Sequence, residues 1–147
     1  MKYSDFRPRL KGNKKIAYDN LNSNERRILV IGDIHAPFEL DGYLDFCKET
    51  YAKYLCNQVI YIGDIIDNHY TSYHETSADG AGGLDELKYA IKAVKKWRKA
   101  FPKADVLIGN HDRMVMRKAQ TSDIPSAWIK SYNEVLGTNW NWVERIA

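Results

Sequence analysis

Three short, largely apolar runs, each ended by a glycine, constrain the fold of this chain more than any other feature. The runs span residues 28–31, 59–62 and 104–108, and the glycines follow at positions 32, 63 and 109. Short runs rich in β-branched residues are typical of strands buried on both faces of a parallel sheet. The spacers between the runs are long enough for helices, which parallel strands need as right-handed crossovers. The sequence therefore predicts an α/β fold, with a mostly parallel βαβαβ sheet flanked by helices.

Both spacers carry apolar residues at helical spacing. In the first spacer these are Leu44, Cys47, Tyr51, Tyr54 and Leu55. In the second they are Leu84, Leu87, Ile91, Val94, Trp97 and Phe101. Asp41 is the expected N-cap of the first helix. The outer side of the second helix carries six basic residues, which indicates a solvated face, with nucleic-acid binding as the alternative.

After the third run, the pattern predicts another helix over residues 126–136, ended by Gly137, and a further strand that starts near Trp140. With 147 residues, we expect one domain over residues 27–147, preceded by a basic arm over residues 1–26. The arm is interpreted either as a solvated terminus or as a segment that attracts phosphate backbones. The net charge of +3 is too small to diagnose a nucleic-acid partner by itself.

The composition also bounds the cellular setting. No apolar run is long enough to cross a membrane, and no secretory signal follows the N-terminal charges. The two cysteines, Cys47 and Cys56, cannot form a disulfide framework, so we expect thiols in or near the core and a reducing, cytoplasmic location.

Side chains that commonly bind metals follow all three glycines. The three clusters read Gly32-Asp33-Ile34-His35, then Gly63-Asp64-Ile65-Ile66-Asp67 followed by Asn68-His69, then Gly109-Asn110-His111-Asp112. The four histidines of the chain lie in or just after these clusters, and they are His35, His69, His74 and His111. Ligands of parallel sheets bind beyond the carboxyl ends of the strands, so we expect the clusters to meet there.

The residue types in these clusters predict a two-metal site. Carboxylates, an amide oxygen and imidazoles, without thiolates, suit Mn²⁺, Fe or Zn²⁺. A carboxylate can bridge two ions about 3.5–4 Å apart, the separation used for displacement at phosphorus, and Asp64 in the middle cluster is the natural bridge. A water shared by two cations loses a proton near neutral pH and becomes a nucleophilic hydroxide.

In this order and at these spacings, the three motifs resemble those of the calcineurin-like metallophosphoesterase superfamily. The resemblance covers about residues 27–118, and the whole chain is similar to bacteriophage-encoded members. It implies half of a metallophosphoesterase α/β sandwich and hydrolysis of phosphomonoesters or phosphodiesters. It also implies that Asp33 and His35 hold one metal, Asp64 bridges, and Asn110 holds the other metal.

The same resemblance assigns the remaining roles. His111 stands at the leaving-group side, where it donates a proton or stabilises charge, and Asp112 orients its imidazole. Asp67 is expected to brace the loops, whereas His69 and His74 either face the substrate or are surface residues. Asn68-His69 and Asp112 replace the Arg-Gly and Glu of the Ser/Thr protein phosphatase branch, which favours phage, nuclease-like or phosphodiesterase-like members.

Two functions remain open. The first is a metal-dependent phosphoesterase for phosphomonoesters or phosphodiesters, with nucleotides or nucleic acid among the candidate substrates. It would act in the cytoplasm, or in a host cytoplasm if the gene is phage-encoded. The family normally supplies further histidine ligands after the third motif, and no histidine follows His111, so the chain is similar to the N-terminal half of the family domain. The second function is therefore a catalytically impaired binding or assembly module that needs a partner segment at its C-terminal edge. There, Trp140 and Trp142 would form a pairing surface.

A dinucleotide-binding unit is excluded because no Gly-x-Gly-x-x-Gly follows the first strand.

Overall fold

The computed structural model describes residues 25–71 and 82–146, together with residues 12, 13 and 15. Four strands form a single parallel sheet in the order in which they occur along the chain. They are β1 (Ile28–Ile31), β2 (Gln58–Tyr61), β3 (Asp105–Leu107) and β4 (Asn141–Val143). The predicted parallel α/β fold is confirmed, and so is the further strand near Trp140.

Within residues 25–71 and 82–146, four α-helices accompany the sheet. They are α1 (Tyr43–Lys53), α2 (Gly83–Ala100), α3 (Met114–Thr121) and α4 (Tyr132–Leu136), with short 3-10 turns at His69–Thr71 and Ser126–Trp128. Helices α1 and α2 confirm the two predicted crossovers. The predicted N-cap of α1 is wrong, because Gly42 occupies the cap position with a left-handed backbone.

The predicted helix over residues 126–136 is wrong in its first half. Ser131 starts a new helix there, because its hydroxyl accepts the Glu134 amide while the Glu134 carboxylate accepts the Ser131 amide. The end of α4 agrees with the prediction, since Gly137 adopts the left-handed conformation that terminates helices. Helix α3 was not predicted.

The hydrophobic core lies between one face of the sheet and the helices. Side chains from every strand and from α1, α2 and α4 meet there, including Ile31, Tyr61, Val94, Trp97, Val106, Leu136 and Trp140. The Trp97 ring contacts the Tyr43 and Tyr61 rings edge-on, at centroid distances of 5.3 and 6.2 Å. Cys47 is buried and Cys56 half-buried, as expected for core thiols.

The opposite face of the sheet is more open than the sequence suggested. Side chains alternate along a strand, and in β1 Ile28 and Val30 point away from the helices, with Val30 56% exposed. The expectation that β1 is buried on both faces is therefore wrong among the described residues. Ile62, just after β2, is exposed as well.

The predicted pairing surface at β4 also differs from the structure. Trp140 is buried and its indole donates to the Phe101 carbonyl at 2.8 Å, while Trp142 stacks on Tyr132 at 4.4 Å. Both rings therefore contribute to packing within the chain. The strand itself lies at an edge of the sheet, beside β3 only.

Helix α2 is rotated slightly from the predicted orientation. Leu84 is exposed, whereas Glu86 is buried and its carboxylate accepts the amides of His69 and Tyr70 at 2.6 and 3.2 Å. The six basic residues of its outer side are exposed, consistent with a solvated face.

None of the described helices combines the length and the apolar composition needed to cross a bilayer. Most of the predicted basic arm, residues 1–26, lies outside the described residues.

We expect Trp97→Ala to lower the free energy of unfolding by about 3–5 kcal/mol, because it leaves a cavity where α2 meets the sheet. Trp128→Ala is the matched control, since Trp128 is 80% exposed and its loss should cost less than about 0.5 kcal/mol. Urea unfolding followed by circular dichroism measures both. Equal effects of the two substitutions would contradict the position of the core.

Candidate metal centre

The loops after β1 and β2 are held together by backbone hydrogen bonds. The amides of His35 and Ala36 donate to the carbonyls of Asp64 and Ile65, each at 2.9 Å, and the Asp67 amide donates back to the Ala36 carbonyl at 2.9 Å. Parallel pairing therefore continues past the ends of both strands. The first two predicted clusters lie side by side as a result.

Several residues of these loops adopt left-handed backbone angles that side chains disfavour. The φ values are 26° at Asp33, 49° at His35, 51° at Asp64 and 51° at Asn68. Each such residue costs about 1–3 kcal/mol unless the surroundings impose it, and they concentrate at functional sites. Here the hydrogen bonds between the loops impose the conformation.

Close contact between two glycines brings the third loop to the second. A Cβ atom on Gly109 would lie 2.2 Å from the Asp64 Oδ1 atom and 2.3 Å from its amide nitrogen. Gly63 has a φ of 108°, and a Cβ there would lie 2.8 Å from the Gly109 Cα. Any side chain at either position would push the loops apart. The approach lets the His111 amide donate to Asp64 Oδ1 at 2.9 Å.

Asp33, His35 and Asp64 form a cluster suited to a divalent cation. One potential ligand atom from each residue lies within 4.8 Å of the others, and His35 Nε2 is 4.0 Å from Asp64 Oδ2. Two atoms on the same ion, each bonded at about 2 Å, lie up to about 4 Å apart. Two carboxylates and an imidazole also match the ligand preferences of Mn²⁺, Fe and Zn²⁺. The residues therefore fit a metal ion.

Asp67 contacts the other side of the His35 ring. His35 Nδ1 lies 2.9 Å from Asp67 Oδ1, and His111 Nδ1 lies 2.5 Å from the Asp67 carbonyl oxygen. His35, Asp67 and His111 also form a group of possible ligands, with His111 Nδ1 3.9 Å from Asp67 Oδ1. In the structure the two shorter distances are those of hydrogen bonds. Asp67 thus orients both rings and leaves Nε2 of His35 for the cluster with Asp33 and Asp64.

Asp112 is buried and serves as an acceptor for the backbone of the loops. Its Oδ1 accepts the amides of Ile65 and Ile66 at 3.0 and 3.3 Å, and its Oδ2 accepts the Gly109 amide at 2.9 Å. Burial raises the pKa of Asp112, the charge of Asp64 raises it further, and the amide hydrogen bonds oppose the rise.

The expected contact between the Asp112 carboxylate and the His111 imidazole is not found among the described residues. The carboxylate is occupied by three amides, and the His111 ring is held by the Asp67 carbonyl instead. In the structure the Asp112 carboxylate holds the two loops that carry Asp64 and His111, and its predicted role beside His111 in catalysis stays a prediction.

The other predicted residues occupy different positions around the cluster. Asn110 is exposed in the turn after β3, directly before His111. His69 lies in the 3-10 turn and belongs to neither group of possible ligands. His74 lies outside the described residues.

Sequence reasoning missed three side chains that support the loops. Asn68 donates to the His111 carbonyl at 2.8 Å, Tyr43 donates to the Gly32 carbonyl at 2.7 Å, and Tyr132 donates to the Asp112 carbonyl at 3.1 Å. Asn68 could have been inferred from its position beside the second motif. No sequence signal marks the tyrosines, because their helices reach the loops only in the folded chain.

We expect Asp112→Ala to lower the free energy of unfolding by about 3 kcal/mol or more, because three amides lose their acceptor. Asp112→Asn keeps one acceptor oxygen and should cost less. Asp45→Ala, which removes an exposed carboxylate of α1, is the control. Urea unfolding provides the measurement, and an Asp112→Ala protein as stable as the control would contradict the supporting role.

Comparison with known proteins agrees with this geometry. A family model described as calcineurin-like phosphoesterase matches residues 26–145, a range that includes all three strand-end motifs. Searches of curated proteins and of solved structures gave no match. Membership of that family implies a hydrolase with a phosphoester substrate, and the Asp and His cluster agrees with divalent metal binding. Since the family model matches most of its length, this chain belongs to the calcineurin-like phosphoesterase family.

Proposed function

We propose that this chain hydrolyses phosphodiesters or phosphomonoesters with the help of divalent cations bound beside Asp33, His35 and Asp64. The observation that carries the proposal is the convergence of these three side chains, from two separate loops, within 4.8 Å of one another. The cluster lies at the carboxyl ends of parallel strands, where ligands of such sheets bind.

The metal content is part of the proposal. Asp33, His35 and Asp64 would hold one ion, and Asp64 with Asn110 would hold a second, weaker one. We propose Mn²⁺, with Fe and Zn²⁺ as alternatives that suit the same ligand atoms. When bound, the cations supply a Lewis acid that activates water and neutralises charge on the phosphoryl oxygens.

The residues of the chain orient the reaction around that centre. Asp67 holds the His35 ring through Nδ1, which keeps Nε2 directed to the Asp64 side. The Asp67 carbonyl accepts from Nδ1 of His111. In a protonated His111 ring, Nε2–H is then the group available to donate a proton to the leaving oxygen. Asp112 acts indirectly, because its carboxylate holds the turn that carries Asn110 and His111.

The direct test is hydrolysis of bis(p-nitrophenyl) phosphate with increasing Mn²⁺, measured beside calorimetric Mn²⁺ binding to the same preparation. We expect Mn²⁺-dependent release of nitrophenolate. Bound Mn²⁺ without any rate above the metal-only control would contradict the enzymatic function for this chain.

We expect Asp64→Asn to weaken Mn²⁺ binding more than about 100-fold, because the substitution removes a charged ligand shared by both proposed ions. Asp45→Asn is the control, since Asp45 is exposed on α1, where it pairs with Lys48. Calorimetric titration of the wild type should show one tightly bound ion. Unchanged affinity in Asp64→Asn would contradict the bridging role, and two tight ions would indicate that other residues, with His69 and His74 first in line, supply further ligands.

We expect His111→Ala to lower the rate of diester hydrolysis by about 10²–10⁴-fold with nearly unchanged Mn²⁺ affinity, as for loss of a general acid. Rate and calorimetry on the same variant separate the two roles. If Mn²⁺ binding is lost together with activity, His111 is a metal ligand and the proposed proton transfer is wrong.

A binding or assembly module is the second candidate function. The observation that favours it is the partly exposed apolar face of the sheet, where Ile28, Val30 and Ile62 are 39%, 56% and 51% exposed. Size-exclusion chromatography with light scattering tests it, and a strict monomer at high concentration would count against self-assembly. The predicted nucleic-acid partner, the bacteriophage resemblance and the cytoplasmic location stay predictions.

A further inference from the structure

A shallow groove of about 510 Å³ adjoins the metal centre. Its lining residues are Gly32, Asp33, Ile34, His35, Phe38, Leu40 and Tyr43. The lining includes Asp33 and His35, which are two of the three proposed metal ligands. The side chains of Phe38, Leu40 and Tyr43 make the rest of it apolar. Its volume lies within the range of small-molecule sites.

Phe38 and Leu40 are unusually exposed for large apolar side chains. Phe38 is 61% exposed and Leu40 is 77% exposed. Both are held in an ordered turn, because the Phe38 amide donates to the His35 carbonyl at 2.7 Å and the Tyr43 amide donates to the Leu40 carbonyl at 3.1 Å. The first of these bonds fixes the position of Phe38 directly relative to a proposed metal ligand. Adjacent exposed apolar side chains on an ordered loop indicate a binding surface.

Tyr43 forms the back of the groove. Its hydroxyl donates to the Gly32 carbonyl, and its ring contacts Trp97 edge-on, so the side chain is fixed from both ends. The groove therefore combines two aromatic residues with an end that carries the metal ligands. Apart from Asp33 and His35, no ionisable side chain other than the Tyr43 phenol lines it, so the remainder of the lining is mostly apolar.

We infer that this groove binds an aromatic ester group of the phosphoester substrate, with the phosphoryl group at the Asp33–His35 end. The inference rests on the proposed function, because the phosphoryl group is placed beside Asp33 and His35 on the assumption that the proposed metal ions bind it there. Ring-on-ring contact with Phe38 and Tyr43 favours an aromatic group over an alkyl group. Simple aryl esters and nucleoside esters share that ring chemistry.

Another cavity, of about 360 Å³, is less suited to the substrate. It lies behind the loops and is bordered by Asn68 and Asp112, with walls from α2, α3 and α4. None of Asp33, His35 and Asp64 lines it. A molecule in that cavity would not share a surface with the proposed metal ligands, so of these two cavities the groove at Phe38 is the one suited to part of a bound phosphoester.

The test uses phosphonates, which bind like phosphoesters but carry a single group on a carbon–phosphorus bond that is not hydrolysed. Calorimetry on the Mn²⁺-loaded chain compares phenylphosphonate with methylphosphonate. We expect the wild type to bind phenylphosphonate about tenfold more tightly. In Phe38→Ala this preference should fall to about twofold or less, with the methylphosphonate affinity unchanged.

Phe46→Ala is the matched control, because Phe46 is 64% exposed on α1 and does not line the groove. It should keep the full preference for the phenyl group. Leu40→Ala is a second variant, in which a partial loss of preference supports the groove and full retention counts against it. A 5′-deoxynucleoside 5′-phosphonate, in which the nucleoside is attached through an unhydrolysed carbon–phosphorus bond, distinguishes the sources: binding tighter than that of phenylphosphonate indicates nucleoside esters, and binding no tighter indicates simple aryl esters.

The outcomes separate this inference from the proposed function. Equal binding of phenylphosphonate and methylphosphonate by a wild type that hydrolyses diesters overturns the groove and leaves the function standing. A phenyl preference lost in Phe38→Ala, in a chain that shows no hydrolysis, supports the groove while contradicting the function. Absence of binding by both phosphonates overturns the groove, and the hydrolysis assay then decides the function separately.

Discussion

The metal centre depends on the close approach of Gly109 to Asp64. Space for a Cβ atom is lacking at Gly109, and the turn at Gly63 needs a left-handed backbone angle, so both positions require glycine. This contact brings the loop after β3 within hydrogen-bond distance of the Asp64 carboxylate. The bonds of Asp112 to the Ile65 and Ile66 amides join the same two loops. Gly63 and Gly109, which have no side chains, therefore control the relative positions of the residues that have functional side chains.

Asp112 stabilises that approach at an electrostatic cost. Burial disfavours its charged form, as the raised pKa indicates, and the neighbouring carboxylate of Asp64 adds repulsion. Three amide donors compensate, and hydrogen bonds of this kind are stronger in a site shielded from water. The result is a rigid support under the loops, and rigid supports are what a metal centre needs to keep its ligands within a few tenths of an ångström. A cation beside Asp64 would also relieve the repulsion.

The two faces of the sheet have different roles: one stabilises the fold, and the other is open for recognition. Helices α1, α2 and α4 bury one face and supply the core. On the other face, a row of hydrogen bonds joins Arg26, Gln58, Asp105 and Asn141 across all four strands near their amino ends. Apolar side chains such as Val30 are exposed further along, toward the carboxyl ends. Hydrogen bonds thus satisfy the polar side chains at the end of this face that is remote from the metal centre. The exposed apolar side chains lie at the other end, toward the metal centre.

The sequence alone determined the parallel sheet, its two long crossover helices and the meeting of Asp33, His35 and Asp64. These follow from local signals, namely short β-branched runs, helical spacing and strand-end glycines, together with the rule that parallel strands gather their carboxyl ends at one edge. Tertiary structure alone decided the partners of Asp112, the exposure of Val30, the roles of Tyr43 and Tyr132, and the break before Ser131. Each of these depends on which distant segment packs against the residue, and the local sequence pattern does not determine that packing.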